Sequence, residues 1–221
     1  DSRTIYKYMD IGTAKPSVLE QQGVPHHLLG ITTPDKRFTV ADFQHHAMHL
    51  IDDIHERGKL PILVGGSGMY IDSVLYDYTF SSFDAPRDAV NRRHLNPDFS
   101  GSDKKLRDNT LLVGLDLSSD ILEARIAHRI DLMFEQGLVD EARKLGAQYG
   151  WDIEPMKTYK PVQELLQGII TEAQTKQKMV IKDRQLAKKQ RTWFRRNNSI
   201  QWTNDPSKIV DLVTTFLNKQ S

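Results

Sequence analysis

The chain contains no cysteine in 221 residues, which excludes disulfides and thiolate zinc sites and agrees with a cytoplasmic protein. No apolar run approaches the roughly 18 residues a membrane-crossing helix needs. No N-terminal signal pattern is present. No glycine-rich turn is followed by Gly-Lys-Ser/Thr, so these residues hold no Walker A loop. The paired histidines His26-His27 and His45-His46 have no carboxylate at ligand spacing, and neighbours on a helix point different ways. A histidine-built metal site is therefore not expected. Internal repeats and low-complexity tracts are also missing. What remains is 38% hydrophobic and 27% charged, the balance of a globular domain, long enough for one domain or one domain plus a smaller lobe.

The formal net charge of +1 conceals an uneven distribution. Residues 176–196 carry nine basic side chains and one acidic one, Asp183, leaving 21 basic against 28 acidic elsewhere. Met179, Leu186 and Trp193 recur every seven residues, as do Val180, Ala187 and Phe194. Lys182, Lys189 and Arg196 recur at the same interval, with Arg184 and Arg191, and Lys188 and Arg195, beside them. The spacing predicts a helix over 171–196 that packs through one apolar side and presents rows of cations on another. Such rows match nucleic-acid phosphates, or they form a solvated face. Trp193 and Phe194 are either core anchors or a platform for a base.

The rest of the chain follows an α/β grammar. The first 15 residues fit no regular period and read as a loop. Thr39 with Asp42 three residues on marks a helix start, and Phe43, Ala47, Leu50, Ile51 and Ile54 form its stripe. Leu60 to Val64 reads as a buried parallel strand, the Gly-Gly-Ser-Gly turn at 65–68 follows it, and a helix resumes over 69–76. Ligands of open α/β sheets sit beyond the carboxyl ends of strands, which is where this turn lies. Its bare backbone would let a substrate approach, with the Ser67 hydroxyl available to it, or it is only a tight turn. Residues 77–109 read as a boundary or flexible lobe, 111–117 as a core strand, and 118–137 as a helix burying Leu122, Ile126, Ile130, Met133 and Phe134. A shorter helix is expected over 138–145, a loop over 151–160, a helix over 161–167, and a final helix near 206–218. Asp1 and Asp10 flank a loop with Arg3, Lys7 and Lys15; a carboxylate there serves either as a general base or as part of a surface turn. Arg125 and Arg129, one helical turn apart, would clamp a diphosphate or pair with acidic neighbours.

Four segments then coincide, in order, with one family: DSRTIYKYMDIGTAKP at 1–16, GVPHHLLGITTPDKRFTVADF at 23–43, LPILVGGSGMYI at 60–71 and RQLAKKQRTWFRR at 184–196. A fifth, LEARIAHRIDLMFEQGLVDEARKL at 122–145, fits as well. Along most of its length the chain resembles the bacterial tRNA dimethylallyltransferases. The resemblance implies a P-loop-NTPase-like α/β core, a parallel sheet flanked by helices, with a helical insertion. It also implies transfer of a dimethylallyl group from its diphosphate to the exocyclic amine of the adenosine 3′ of the anticodon, with magnesium. By matching position, Asp1 would be the general base, Ser67 a preserved hydroxyl and Arg129 a diphosphate contact. Ser2, Arg3, Thr4, Tyr159 and Lys160 would surround the RNA, together with Lys188, Lys189, Gln190, Arg191, Thr192, Trp193, Phe194 and Arg195. The partners implied are the tRNA anticodon stem-loop and dimethylallyl diphosphate, with no membrane, for a cytoplasmic monomer.

Three departures from the family pattern shape the expectation. The family opens with a strand and a Gly-x-Thr-Ala-Ser-Gly-Lys-Thr loop that cradles the diphosphate, and this chain begins after it. The helical insertion is reduced to 77–109, between core parts at 1–76 and 110–221. The Ile-Gly pair usual before Tyr-Lys is absent before Tyr159-Lys160. The chain as written is therefore expected to bind tRNA yet to hold dimethylallyl diphosphate poorly. A non-catalytic tRNA-binding remnant is the alternative reading, and a small-molecule kinase-like protein with an incidental basic helix is a third.

Overall fold

Thr39 opens helix α1 (Val40–Glu56) through a complete capping box, its side chain accepting from the Asp42 N–H while the Asp42 carboxylate accepts from the Thr39 N–H. The structure is a computed structural model, and it describes residues 1–80 and 105–219. Helix α1 buries Phe43 and Ala47 against Tyr70 and Val74 of α2 (Gly68–Leu75), with the Phe43 and Tyr70 rings stacked at 4.4 Å.

Strands β1 (Leu112–Leu115) and β2 (Ile200–Thr203) pair in parallel, Leu112 opposite Ile200 and Leu115 opposite Thr203. Parallel neighbours need a long crossover. Here it holds α3 (Ser119–Glu135), α4 (Leu138–Tyr149), a 3₁₀ turn (Glu154–Tyr159), α5 (Lys160–Leu166) and α6 (Glu172–Phe194). Helix α7 (Ser207–Asn218) follows β2. Ser118 caps α3, and Thr171 with Gln174 forms a second capping box at the start of α6.

The N-terminal segment has little regular structure, but it is core rather than surface loop. Ile5 and Met9 are fully buried, packed in one cluster with Met133 of α3, Leu138, Ala142 and Leu145 of α4, Met156, Tyr159 and Val162. Its backbone is tied to residues 30–32: Gly30 N–H donates to Thr4 O (2.9 Å), Ile31 N–H to Ile5 O (2.8 Å) and Lys7 N–H to Thr32 O (2.7 Å). A second anchor comes from α4. The Glu141 carboxylate accepts from the N–H groups of Asp10, Ile11 and Gly12, all at 2.8 Å, and from the Tyr159 hydroxyl at 2.7 Å. Asp10 is further paired with Lys15 at 2.5 Å.

Several expectations are corrected. Leu60 to Val64 is not a buried strand: Leu60, Ile62 and Val64 are 47, 76 and 79% exposed. A continuous apolar run becomes a strand only with ladder partners on its edges and cover on its faces, and among the described residues it has neither. Helix α4 runs four residues beyond Leu145, because one internal glycine costs only about 1 kcal/mol and the burial of Leu138, Ala142 and Leu145 outweighs it. The segment expected as a loop before Lys160 winds into the 3₁₀ turn, with Pro155 in its first turn. The apolar side of α6 is incomplete: Leu186 is 53% exposed. Most of the expected lobe, residues 81–104, lies outside the described residues.

Candidate active site

Ser67 sits at the N-cap of α2, yet its hydroxyl makes no capping bond. A serine there ordinarily spends its oxygen on the first turn of its helix. This one instead accepts from the Ser2 N–H at 3.0 Å, lies 3.0 Å from Ser2 Oγ and reaches Asp1 Oδ2 at 3.2 Å. The other carboxylate oxygen, Asp1 Oδ1, accepts from the Arg3 N–H at 2.9 Å. The Thr4 hydroxyl, in a residue only 8% exposed, lies 3.5 Å from Asp1 O. Asp1 is thus an exposed carboxylate whose two oxygens are each held by a neighbour. It can accept a proton without moving. Arg3 does not face this carboxylate with its side chain: its guanidinium bonds Glu154 through the backbone O (3.3 Å) and Oε1 (3.4 Å). Lys157, and after it Arg3, hold the Glu154 carboxyl below the usual glutamate value.

The glycines beside Ser67 serve a different purpose from the substrate approach expected of them. A Cβ on Gly66 would fall 2.1 Å from Gln190 Nε2, and one on Gly68 would fall 2.4 Å from Trp193 Cδ1. The turn is bare because α6 leans on it. Two hydrogen bonds fasten the contact: Trp193 Nε1–H to Asp72 Oδ2 at 2.9 Å, and Asn197 Nδ2–H to the Tyr76 hydroxyl at 2.6 Å.

The cations of α6 and of the two residues after it sort into two groups. Lys176 bonds Asp131 (2.9 Å), Lys178 bonds Glu164 (2.6 Å), Arg184 bonds Glu123 (3.1 Å), and Arg191 and Arg195 share Asp116 (2.9 and 3.1 Å). Arg191 also donates to Leu117 O at 2.7 Å, and Lys182 lies 3.5 Å from Lys157 O. Burial lowers the Lys182 pKa from its ordinary value. Among the described residues Lys188, Lys189 and Arg196 have no acidic partner. These three line one open groove of about 500 Å³ together with Gln185, Thr192 and Trp193. Concentrated, uncompensated positive charge along a groove is what a phosphate backbone requires.

The remaining expected site residues are placed as follows. Arg129 reaches from α3 to Asp183 of α6 at 2.6 Å. Tyr159 is 1% exposed and its hydroxyl belongs to Glu141, so the structure sets it in the core and not against a ligand. Lys160 is exposed, with its ammonium on Gln163 at 3.2 Å. The Thr192 hydroxyl donates to Lys188 O at 2.9 Å, and Phe194 is half-buried. Sequence reasoning passed over Glu141, Asp116 and Asp72. Each is an acidic residue whose partner lies far along the chain, and no local spacing marks such a residue.

The chain matches the family model described as IPP transferase over residues 4–106 and 92–197. It is 35% identical to a protein named tRNA dimethylallyltransferase from Anoxybacillus flavithermus over 249 residues, covering 91% of this chain and 79% of that one. A tRNA dimethylallyltransferase from Synechococcus elongatus is also 35% identical, over 98% of this chain and 86% of its own. Among solved structures, the tRNA isopentenylpyrophosphate transferase of Bacillus halodurans superposes with a TM-score of 0.81 at 32% identity, covering 99% of this chain and 86% of that one. The Staphylococcus epidermidis structure titled tRNA delta(2)-isopentenylpyrophosphate transferase gives 0.80 at 30% identity, over 99% and 89%.

Proposed function

The chain belongs to the IPP transferase family, and on that premise we propose that it transfers a dimethylallyl group from dimethylallyl diphosphate to the exocyclic amine of the adenosine 3′ of the anticodon in tRNA. It is a prenyltransferase with an α/β, P-loop-like fold. The observation that carries the residue assignment is the Asp1 carboxylate, fixed by Ser67 and the Arg3 N–H beside the turn on which the cationic helix rests. In the reaction the adenosine nitrogen forms a bond to the allylic carbon, and the carbon–oxygen bond to the diphosphate breaks. The electron pair of that bond leaves with the diphosphate, and the nitrogen's proton passes to Asp1. Extruding the adenosine from the stack gives the carboxylate access to its amine.

Lys188, Lys189 and Arg196 hold the RNA by its phosphates in this reading. Arg129 contacts the diphosphate and shares its guanidinium with Asp183 while doing so. Positive charge near the leaving group is the main catalytic contribution expected of such a site. Among the described residues no three His, Asp or Glu side chains are grouped to hold a metal ion. Asp1 is the one carboxylate of the cradle, and both its oxygens are engaged. These residues do not make a magnesium site of their own. No described helix is long and apolar enough to cross a membrane. The cytoplasm, where tRNA is found, is the compartment for this activity.

Asp1→Asn keeps the shape and, through its amide oxygen, the bond accepted from the Arg3 N–H, while its NH2 can only donate toward Ser67 Oγ, and it cannot take the proton. Made in a version that carries the family's Gly-Lys-Thr phosphate loop, the substitution is expected to lower turnover roughly a hundredfold or more, with tRNA affinity unchanged. Steady-state kinetics and filter binding on the same preparation check this, and near-normal turnover would remove Asp1 from the base role.

A further inference from the structure

Helix α6 carries the unpaired cations, and the Gly-rich turn carries Ser67, whose hydroxyl holds the Asp1 carboxylate. These two parts of the site are not merely adjacent. Gln190 and Trp193 occupy the space where side chains on Gly66 and Gly68 would stand, and those glycines flank Ser67 on either side. Trp193 does most of the joining. Its ring covers the first residue of α2 and lines the cationic groove, and its indole N–H bonds Asp72 in the second turn of α2. Asn197 adds a third attachment, to Tyr76 at the end of α2.

We propose that Trp193 is a positioning residue. It is the piece through which RNA seated on α6 sets the Ser67 hydroxyl, and through it Asp1, for the chemical step. The assignment rests on the proposed base role of Asp1. Its physical basis is rigidity: a ring packed against Gly68 transmits small displacements because a packed contact has few alternatives. A hydrogen bond from an indole to a carboxylate fixes the ring plane. The competing use of the same ring, stacking on a base, would place its contribution in affinity.

The two uses separate in the split between binding and rate. Trp193→Phe keeps an aromatic face for stacking and removes the N–H to Asp72. With an anticodon stem-loop RNA and dimethylallyl diphosphate, the single-turnover rate is expected to fall about tenfold while the RNA dissociation constant stays within about twofold. Gly68→Ala leaves Trp193 intact but drives a methyl group into its ring, and the same signature is expected. Asp72→Ala, which also removes the Tyr78 hydroxyl's partner, sets the floor: adding Trp193→Phe to it should slow the reaction no further, because the bond between Trp193 and Asp72 is already gone. A loss of RNA affinity as large as the loss of rate would overturn the proposal and make Trp193 a stacking platform; so would additive effects in the cycle. Asp1→Asn in the same assay keeps the two readings apart. If Asp1→Asn stays active the base assignment fails, whereas an inactive Asp1→Asn with an unaffected Trp193→Phe rate sinks the positioning role alone.

Discussion

Tyr159 carries its hydroxyl into the core because Glu141 receives it there, at 2.7 Å. Burial first, and the Glu141 charge second, raise the Tyr159 pKa well above its ordinary value. The phenol is neutral in the folded protein, whereas in the unfolded chain it ionises near pH 10. Its stabilisation is therefore complete below about pH 10 and drains away as pH rises toward the folded value. Tyr159→Phe should cost about 1–2 kcal/mol at neutral pH, for the lost hydrogen bond, and should flatten the fall in stability above pH 10. Urea unfolding midpoints at pH 7, 10 and 11 measure both effects, and parallel curves for the two proteins would contradict the account. Tyr70, pushed up to about 12 mainly by burial, adds a share that the substitution leaves in place. The family resemblance assigned Tyr159 to RNA through its Tyr-Lys pair. Sequence could not reveal that the first residue of the pair turns inward and the second outward, because that depends on where α4 places a carboxylate.

Helix α6 was the most legible element and also the most incompletely read. Its sevenfold periodicity gave its existence, its extent and its charged faces, since those follow from 3.6 residues per turn. Its start was legible as well, given Thr171 and Gln174, although the capping box went unread. What periodicity cannot give is which cations are spent. Lys176, Arg184, Arg191 and Arg195 are neutralised by Asp131, Glu123 and Asp116, acids set by the register of α3 and the end of β1. Alanine at Lys188, Lys189 and Arg196 together should reduce the slope of log affinity against log salt by about two to three, near 0.7–0.9 per contact. Arg191→Ala should change that slope little and instead release Asp116, showing up as lost stability. Titrations at four salt concentrations distinguish these outcomes, and an unchanged slope in the triple variant would move the RNA elsewhere.

At the scale of the whole molecule, the α/β class was legible from alternation of apolar runs and amphipathic stretches, and the parallel pairing of β1 with β2 agrees with it. Leu60–Val64 was misread because an apolar run specifies a strand only together with its neighbours. Backbone amides without ladder bonds open freely. Hydrogen exchange at 60–64 should therefore be complete while α4 and α5, packed on Ile5 and Met9, remain protected; slow exchange at 60–64 would show a covered strand in solution. The Asp1 cradle was legible by family resemblance alone, since Ser67 and Asp1 are 66 positions apart and nothing local links them. The clamp of Glu141 on Ile11 spans 130 positions and carries a cost in time. At roughly 5–20 residues per second, the ribosome makes the loop about 7–26 seconds before it makes the acid that fastens it. Through that interval Ile5 and Met9 lack the α3 and α4 side chains they pack on, and the nascent chain is open to chaperones and proteases in the segment that bears its base. Synonymous codons that slow translation between residues 12 and 141 would lengthen that exposure without altering one atom of the finished protein.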